Sequence, residues 1–261
     1  MPSTYAHYRF GTMLLPSMPG DVKRTIQRFR RLFDMGLHGP DIFYYYSPVV
    51  KSGARFLGIK FHEQTGKEFF QRVCRAVRLE RSEAALAYLY GVLCHYCLDI
   101  CCHPFIREQV QSNAISHPRL ETEFDRYLLE VDGKIPPCAQ DLSRHMRLTP
   151  GECETVAKFY PPTNGSGVES AIRSMAFFTR LLATPEGARR TVLEKGMNIV
   201  ASSYRGMLMT SGPDPTCAHL DEGMMECYQH AAAIFPEMLS QLLAHMTYSA
   251  PFGEEFDNKF G

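Results

Sequence analysis

The sequence predicts an all-α protein, built as one multi-helix domain over residues 1–261. Three observations predict it. Apolar residues recur at helical spacing in eight separate segments. Several of those segments open on a residue suited to cap a helix. Strand-like alternation is almost absent.

Taken in order, residues 21–35 carry the first amphipathic stretch, with Asp21 as the expected N-cap. Residues 65–79 follow, capped by Thr65, with Phe69, Phe70, Val73 and Val77 on the inward face. Residues 82–102, opening at Ser82, are apolar nearly all round, the pattern of a buried helix. Pro104 disfavours helical geometry at His103 and removes a backbone donor, so this helix is expected to end near His103. Residues 117–130 form the next helix, with Pro118 in its first turn. Residues 149–159 open with Thr149, Pro150 and Glu152, the signature of a capped start. Residues 167–182, 185–204 and 221–246 complete the set. Breaks are expected at residues 47–53, 132–137, 160–167 and 211–215; the Pro- and Gly-rich stretch 160–167 reads as a linker. It separates a first half rich in candidate ligands, within residues 1–125, from a supporting helical half, 168–261. Neither half shows a complete set of amphipathic partners, which favours one domain.

Composition narrows the functional class. A hydrophobic fraction of 45% and a charged fraction of 21% are those of a globular protein. The 28 basic and 28 acidic residues cancel, so duplex nucleic acid is not the expected partner. No run of about 18 continuous apolar residues occurs, and no transmembrane helix is expected. The N-terminal residues lack the pattern of a signal peptide, which predicts a cytoplasmic protein with reduced cysteines.

The chemistry concentrates in His95-x-x-x-Asp99-x-x-x-His103 and His117-x-x-x-Glu121. Residues four apart share one face of a helix. A His-x-x-x-Asp pair on a solvated helix is commonplace, but the flanks here are apolar, and buried charges must be paired or bind metal. His95 and His103 start about 12 Å apart along a helix axis, too far to share one ion easily. More than one ion is therefore expected, with Asp99 between them able to bridge or to serve either. Of the nine cysteines, Cys94, Cys97 and Cys101 fall on the opposite face and read as core; Cys102 points nearer the ligands and stays an alternative. Three further candidates stand alone. His62 precedes a helix and reads as a loop residue. Asp41 follows Gly39-Pro40, where it can cap a turn or serve a site. His7 stands among aromatics.

The ordered set His7, Gly39-Pro40-Asp41, His62, His95-x-x-x-Asp99-x-x-x-His103 and His117-x-x-x-Glu121 resembles the zinc-dependent phospholipase C family. That family shares an all-helical fold with the single-strand nucleases of the P1 type. The resemblance covers the first half by motif and the second only by helical pattern. It implies two to three zinc ions. His62, His95 and Asp99 would hold one, and His103, His117 and Glu121 a second. Asp99 would also reach a third, shared with His7 and N-terminal groups such as Pro2. Secreted members use an N-terminal Trp there, and this chain has no Trp. Asp41, beside the attacking water, would be the general base, and it is also counted among the candidate metal ligands. Phe43, Tyr44, Tyr45 and Tyr46 read either as core aromatics or as a pocket for a cationic headgroup or a base. The implied activity is hydrolysis of a phosphodiester substrate, a phospholipid with transient membrane contact in the first instance. The alternatives are a P1-type nuclease or nucleotidase and a helical protein that holds metal without turnover.

Overall fold

A computed structural model describes residues 4–45, 53–113, 115–200 and 206–261. The expectations for Pro2, Tyr46, the break at 47–52 and the end of the 185–204 helix lie outside the described residues. Eleven α-helices are found among those described: α1 Thr4–Leu14, α2 Gly20–Arg28, α3 Arg30–Gly36, α4 Gly53–His62, α5 Gly66–Glu80, α6 Glu83–Asn113, α7 His117–Val131, α8 Pro150–Ala157, α9 Gly165–Leu182, α10 Ala188–Val200 and α11 Asp221–Tyr248. No strand forms among the described residues; one isolated bridge joins Thr65 and Lys259. The all-α architecture is that of the phospholipase C and P1 nuclease type.

Helix α6 is the axis of the molecule. It packs against α1, α2, α3, α5, α7, α8 and α11. By length and composition it is apolar enough to cross a bilayer, but 83% of its most apolar window is buried inside the protein. Its apolarity serves the core. Helix α3 comes closest, because Gly36 faces Gly91 of α6. A Cβ on Gly91 would meet the Phe33 carbonyl oxygen at 2.3 Å, and one on Gly36 would meet the Tyr88 carbonyl oxygen at 2.4 Å. Only paired glycines let the two backbones touch.

Local signals for the helix starts hold in several places. Thr65 and Glu68 form a reciprocal capping box, as do Thr149 and Glu152. The Ser82 hydroxyl accepts from the Ala85 amide at 3.1 Å. Other expectations are corrected. Asp21 lies inside the first turn of α2, and Pro19 is its N-cap. The 21–35 stretch is two helices, broken at Phe29, whose φ of −121° and ψ of 42° leave the helical region. Helix α9 starts two residues early, where the Asn164 side chain accepts from the Gly167 amide at 2.9 Å.

The largest correction concerns Pro104. Helix α6 continues through it for nine more residues, to Asn113. The missing N–H costs one ladder bond. Beyond it, Ile106 is buried in the core and Phe105 lies on Gly223 of α11. That packing holds the extra turns, so His103 stays on a helix face rather than swinging free at a helix end.

Candidate metal centre

Five elements deliver the polar side chains to one buried region. Helix α6 supplies His95, Asp99 and His103 from successive turns. Helix α7 supplies His117 and Glu121. Helix α1 contributes His7. A 3-10 turn, Gly39–Tyr45, and the last residue of α4 bring in Asp41 and His62. His62 thus ends a helix instead of lying in a loop. The turn is shaped by Gly39, whose φ of +47° is left-handed, and a Cβ there would meet the His95 ring at 2.5 Å. Glycine lets the Asp41 turn lie flat on His95.

Asp99 is the meeting point. Its Oδ2 is 3.0 Å from His95 Nε2, and its Oδ1 is 3.3 Å from His7 Nε2 and 3.6 Å from His103 Nε2. Asp41 Oδ1 lies 2.8 Å from His62 Nε2, and Asp41 Oδ2 3.9 Å from His95 Nδ1. Glu121 Oε1 is 3.0 Å from His117 Nε2 and 3.8 Å from His103 Nε2. Among the described residues three groups have ligand atoms mutually within 4.8 Å: His7, His95 and Asp99; Asp41, His62 and His95; and His103, His117 and Glu121. The structure therefore gathers all eight candidate ligands, and none of the cysteines joins them. Cys94, Cys97 and Cys102 are buried, and Cys97 bonds to the Ala231 carbonyl of α11.

The donor set fits a divalent metal. Imidazole and carboxylate are the ligands zinc takes. His95 Nε2 and Asp99 Oδ2 are in contact distance yet make no hydrogen bond, and His95 Nδ1, His7 Nδ1 and Asp41 Oδ2 also have no hydrogen-bond partner. Buried polar atoms are normally satisfied. Atoms that approach closely without hydrogen-bond geometry are arranged as ligands aimed at a common third atom. The His62 Nδ1–H donates to the Gly58 carbonyl at 2.7 Å, which leaves Nε2 as the nitrogen for the site.

Charge follows the same pattern. Burial alone would raise Asp99, but His95, His103 and His7 hold it well below the usual carboxylate range. Glu121 is likewise held low against burial, by His117 and His103. Burial opposes charge on His103, yet Asp99 and Glu121 outweigh it and raise its pKa to about 9. His7 and His62 are raised against burial, chiefly by Asp99 and Asp41 respectively. The same nitrogens and oxygens that face one another in these pairs would hold a cation, so metal binds there in competition with protons.

A cleft of about 360 Å³ opens onto the site, lined among others by Asp41, Tyr44, His62, His103, His117, Glu121 and Arg107. Of the aromatic candidates among the described residues only Tyr44 reaches it, with its ring 4.9 Å from that of His62. Phe43 and Tyr45, expected beside substrate, are corrected to core positions. Phe43 packs edge-on against Tyr160 and beside Phe61, and Tyr45, 2% exposed, lines a separate small cavity with Thr4 and Asp125. Three consecutive residues of a tight turn cannot all point into one cleft.

The sequence reading missed the strap after α11. Phe252, Phe256 and Phe260, four apart, are buried, and the Tyr96 hydroxyl bonds to the carbonyls of Glu255 at 2.7 Å and Asn258 at 2.8 Å. The strap brings Phe260 against His62 and His95, and Gly261 to the cleft wall. The four-residue spacing of the phenylalanines was the available signal.

Fold and site together define an all-helical protein of the phospholipase C and P1 nuclease type, with buried histidine–carboxylate groups able to hold metal. A family model for zinc dependent phospholipase C matches residues 6–158, and the chain belongs to that family. The matched span contains all eight candidate ligands. Comparison with curated proteins and with solved structures finds no match.

Proposed function

We propose that this protein is a zinc-dependent phosphodiester hydrolase of phospholipase C type, acting as one domain with its ligands in the first half. The observation that carries the reading is the convergence of three histidine–carboxylate groups, linked by His95 and Asp99: members of two of them line one cleft, and the third, His7, His95 and Asp99, is buried behind them. In this reading His62, His95 and Asp99 hold one ion, a set whose members fall in two of the groups joined at His95, and His103, His117 and Glu121, themselves one of the groups, hold a second. Asp99 and His7 serve a third. Zinc, when bound, supplies positive charge to a phosphodiester anion and makes water acidic enough to ionise near neutral pH.

The chain's own groups do the rest. Asp41 receives the proton of the attacking water at Oδ2, the oxygen without a hydrogen-bond partner. Tyr44 offers a ring face to the part of the substrate beyond the phosphorus. Phe260 and the buried face of α6 keep bulk water from the inner side of the site.

Elemental analysis of purified protein, joined to a screen of phospholipid and nucleotide diesters, tests the proposal. Zinc together with diacylglycerol release supports it. Release of nucleoside instead assigns the P1-type activity. Zinc with hydrolysis of neither diester leaves a metal-holding helical protein.

A further inference from the structure

On α7 the four-residue step that places His117 and Glu121 on one face continues to Asp125. Asp125 belongs to none of the metal-holding groups. Its carboxylate is buried, and both oxygens accept backbone hydrogens from the first turn of α1: the Tyr5 amide on Oδ2 at 2.8 Å and the Ala6 amide on Oδ1 at 2.7 Å. The next residue is His7, whose Nε2 is 3.3 Å from Asp99 Oδ1 and whose ring centroid is 4.4 Å from that of His95.

We infer that Asp125 is a positioning residue: it ties the first turn of α1 to α7 and so keeps His7 on Asp99. A carboxylate is suited to the task. The first amides of a helix have no partner within it, and the helix dipole favours negative charge at that end. Two bonds from one rigid group fix both the rotation and the register of α1, and a rotation of one residue, 100°, would carry His7 off the site. A second tether between α1 and the end of α7 is Asp132, which accepts from the Tyr5 hydroxyl at 2.6 Å and from Arg9 at 2.8 and 2.9 Å. It grips side chains at the solvent edge and leaves the backbone register to Asp125. The link to metal rests on the function proposed above, because it takes His7 as a ligand; the tether itself does not.

The test reads the chemical accessibility of His7. The as-purified protein is treated with diethyl pyrocarbonate and each histidine is followed by mass spectrometry. Wild-type His7 is expected to be protected, with the exposed His219 and His230 as fast references. In Asp125→Ala, and in Asp125→Asn should the alanine variant fail to fold, His7 reactivity rises by about tenfold or more, the effect of losing charge-assisted hydrogen bonds at a locally opening helix end. His95 and His38 stay protected. Asp132→Asn, on the same helix pair, leaves His7 protected. The inference is overturned if His7 stays protected in the folded Asp125 variants, if His7 and His95 become reactive together, or if Asp132→Asn exposes His7 equally. Bound zinc is measured alongside. It is expected to fall in the Asp125 variants without vanishing, and unchanged zinc beside a reactive His7 would overturn the metal part. A wild-type chain without zinc would overturn the proposed function, and the reactivity pattern would still decide the tether.

Discussion

Replacing Gly39 with alanine should damage the centre without touching a single ligand. The residue has φ of +47°, and a Cβ would stand 2.5 Å from His95 Cδ2, 2.9 Å from Cγ and 3.0 Å from Nε2. Carbon atoms in contact prefer about 3.5–4.0 Å. His95 has nowhere to retreat. It is fully buried, with the His7 ring 4.4 Å away and Phe260 beyond. The left-handed backbone costs alanine about 1–2 kcal/mol. Overpacking adds about 1–3 kcal/mol. At about 2–4 °C per kcal/mol, Tm should fall by roughly 4–20 °C. The informative comparison is Gly133→Ala, where φ is +69° but no atom lies within 4 Å of the new Cβ. That variant bears the backbone cost alone. Differential scanning calorimetry and zinc content on the pair separate the two contributions. Gly39→Ala should lose more Tm than Gly133→Ala and should also lose zinc, because His95 belongs to two of the groups. Equal Tm losses with full zinc in both would refute the claim that the turn is moulded to His95.

Three further outcomes follow from the site. Asp99→Asn removes the charge that three imidazoles face at 3.0–3.6 Å, and zinc affinity measured against a competing chelator should fall by more than the roughly 10–100-fold that loss of an orienting partner costs; retained zinc and rate would end the site assignment. Asp41→Asn should cut turnover by about 10²-fold or more while zinc is largely kept, and zinc loss as deep as in Asp99→Asn would make Asp41 a ligand before a base. The His38–His145 pair, with Nε2 atoms 2.6 Å apart, should make the fold acid-sensitive. Burial and the neighbouring Arg30 lower His145 to about 4, and burial with His145 and His7 nearby puts His38 well below its ordinary value. An unfolded chain takes up these protons below about 6.5 while the folded chain refuses them, so their stability is whole above 6.5 and is lost as pH falls toward 4, at about 1.4 kcal/mol per unit for each group. The Tm advantage of wild type over His145→Gln should shrink across that window; a constant advantage would show that the pair does not titrate on unfolding.

What could be read from sequence was what short-range chemistry specifies. Thr65 with Glu68, and Thr149 with Glu152, mark helix starts because a cap is satisfied within three residues. His95, Asp99 and His103 announce a site because a helix turns four residues into one face. Helix α1 gave no comparable signal. Its first turn is held by Asp125 and Asp132, some 120 residues away in the chain, and no local pattern encodes that. His62 looked like a loop residue because nothing nearby shows that α4 ends on it. Asp41 was ambiguous for a related reason: Gly39-Pro40-Asp41 makes a turn whether or not a histidine waits across it. Pro104 shows the reverse error. The local rule against proline is sound, and the packing of Phe105 and Ile106 overrode it. The break at Phe29 falls inside an unbroken amphipathic pattern, and nothing in the structure explains why it falls at that residue.

The sharing of ligands bears on how the centre fills. His95 appears in two groups, beside Asp41 and His62 and beside His7 and Asp99. A neutral imidazole has one unprotonated nitrogen. His95 therefore serves one ion at a time, and its two groups are not independent sites. Asp99 differs, since its Oδ2 faces His95 while its Oδ1 faces His7 and His103. A carboxylate divides between neighbours where an imidazole cannot, so Asp99 is the residue suited to link adjacent ions. If His95 goes with His62 and Asp99, then Asp41 is released from coordination to act on water, and His7 is left to Asp99 Oδ1. If His95 goes with His7, Asp41 and His62 are left as a pair. The first partition leaves a carboxylate free on the cleft wall and every imidazole employed; the second consumes the base. Within the proposed function, that is the physical ground for giving Asp41 the proton and His95 the ion it shares with His62.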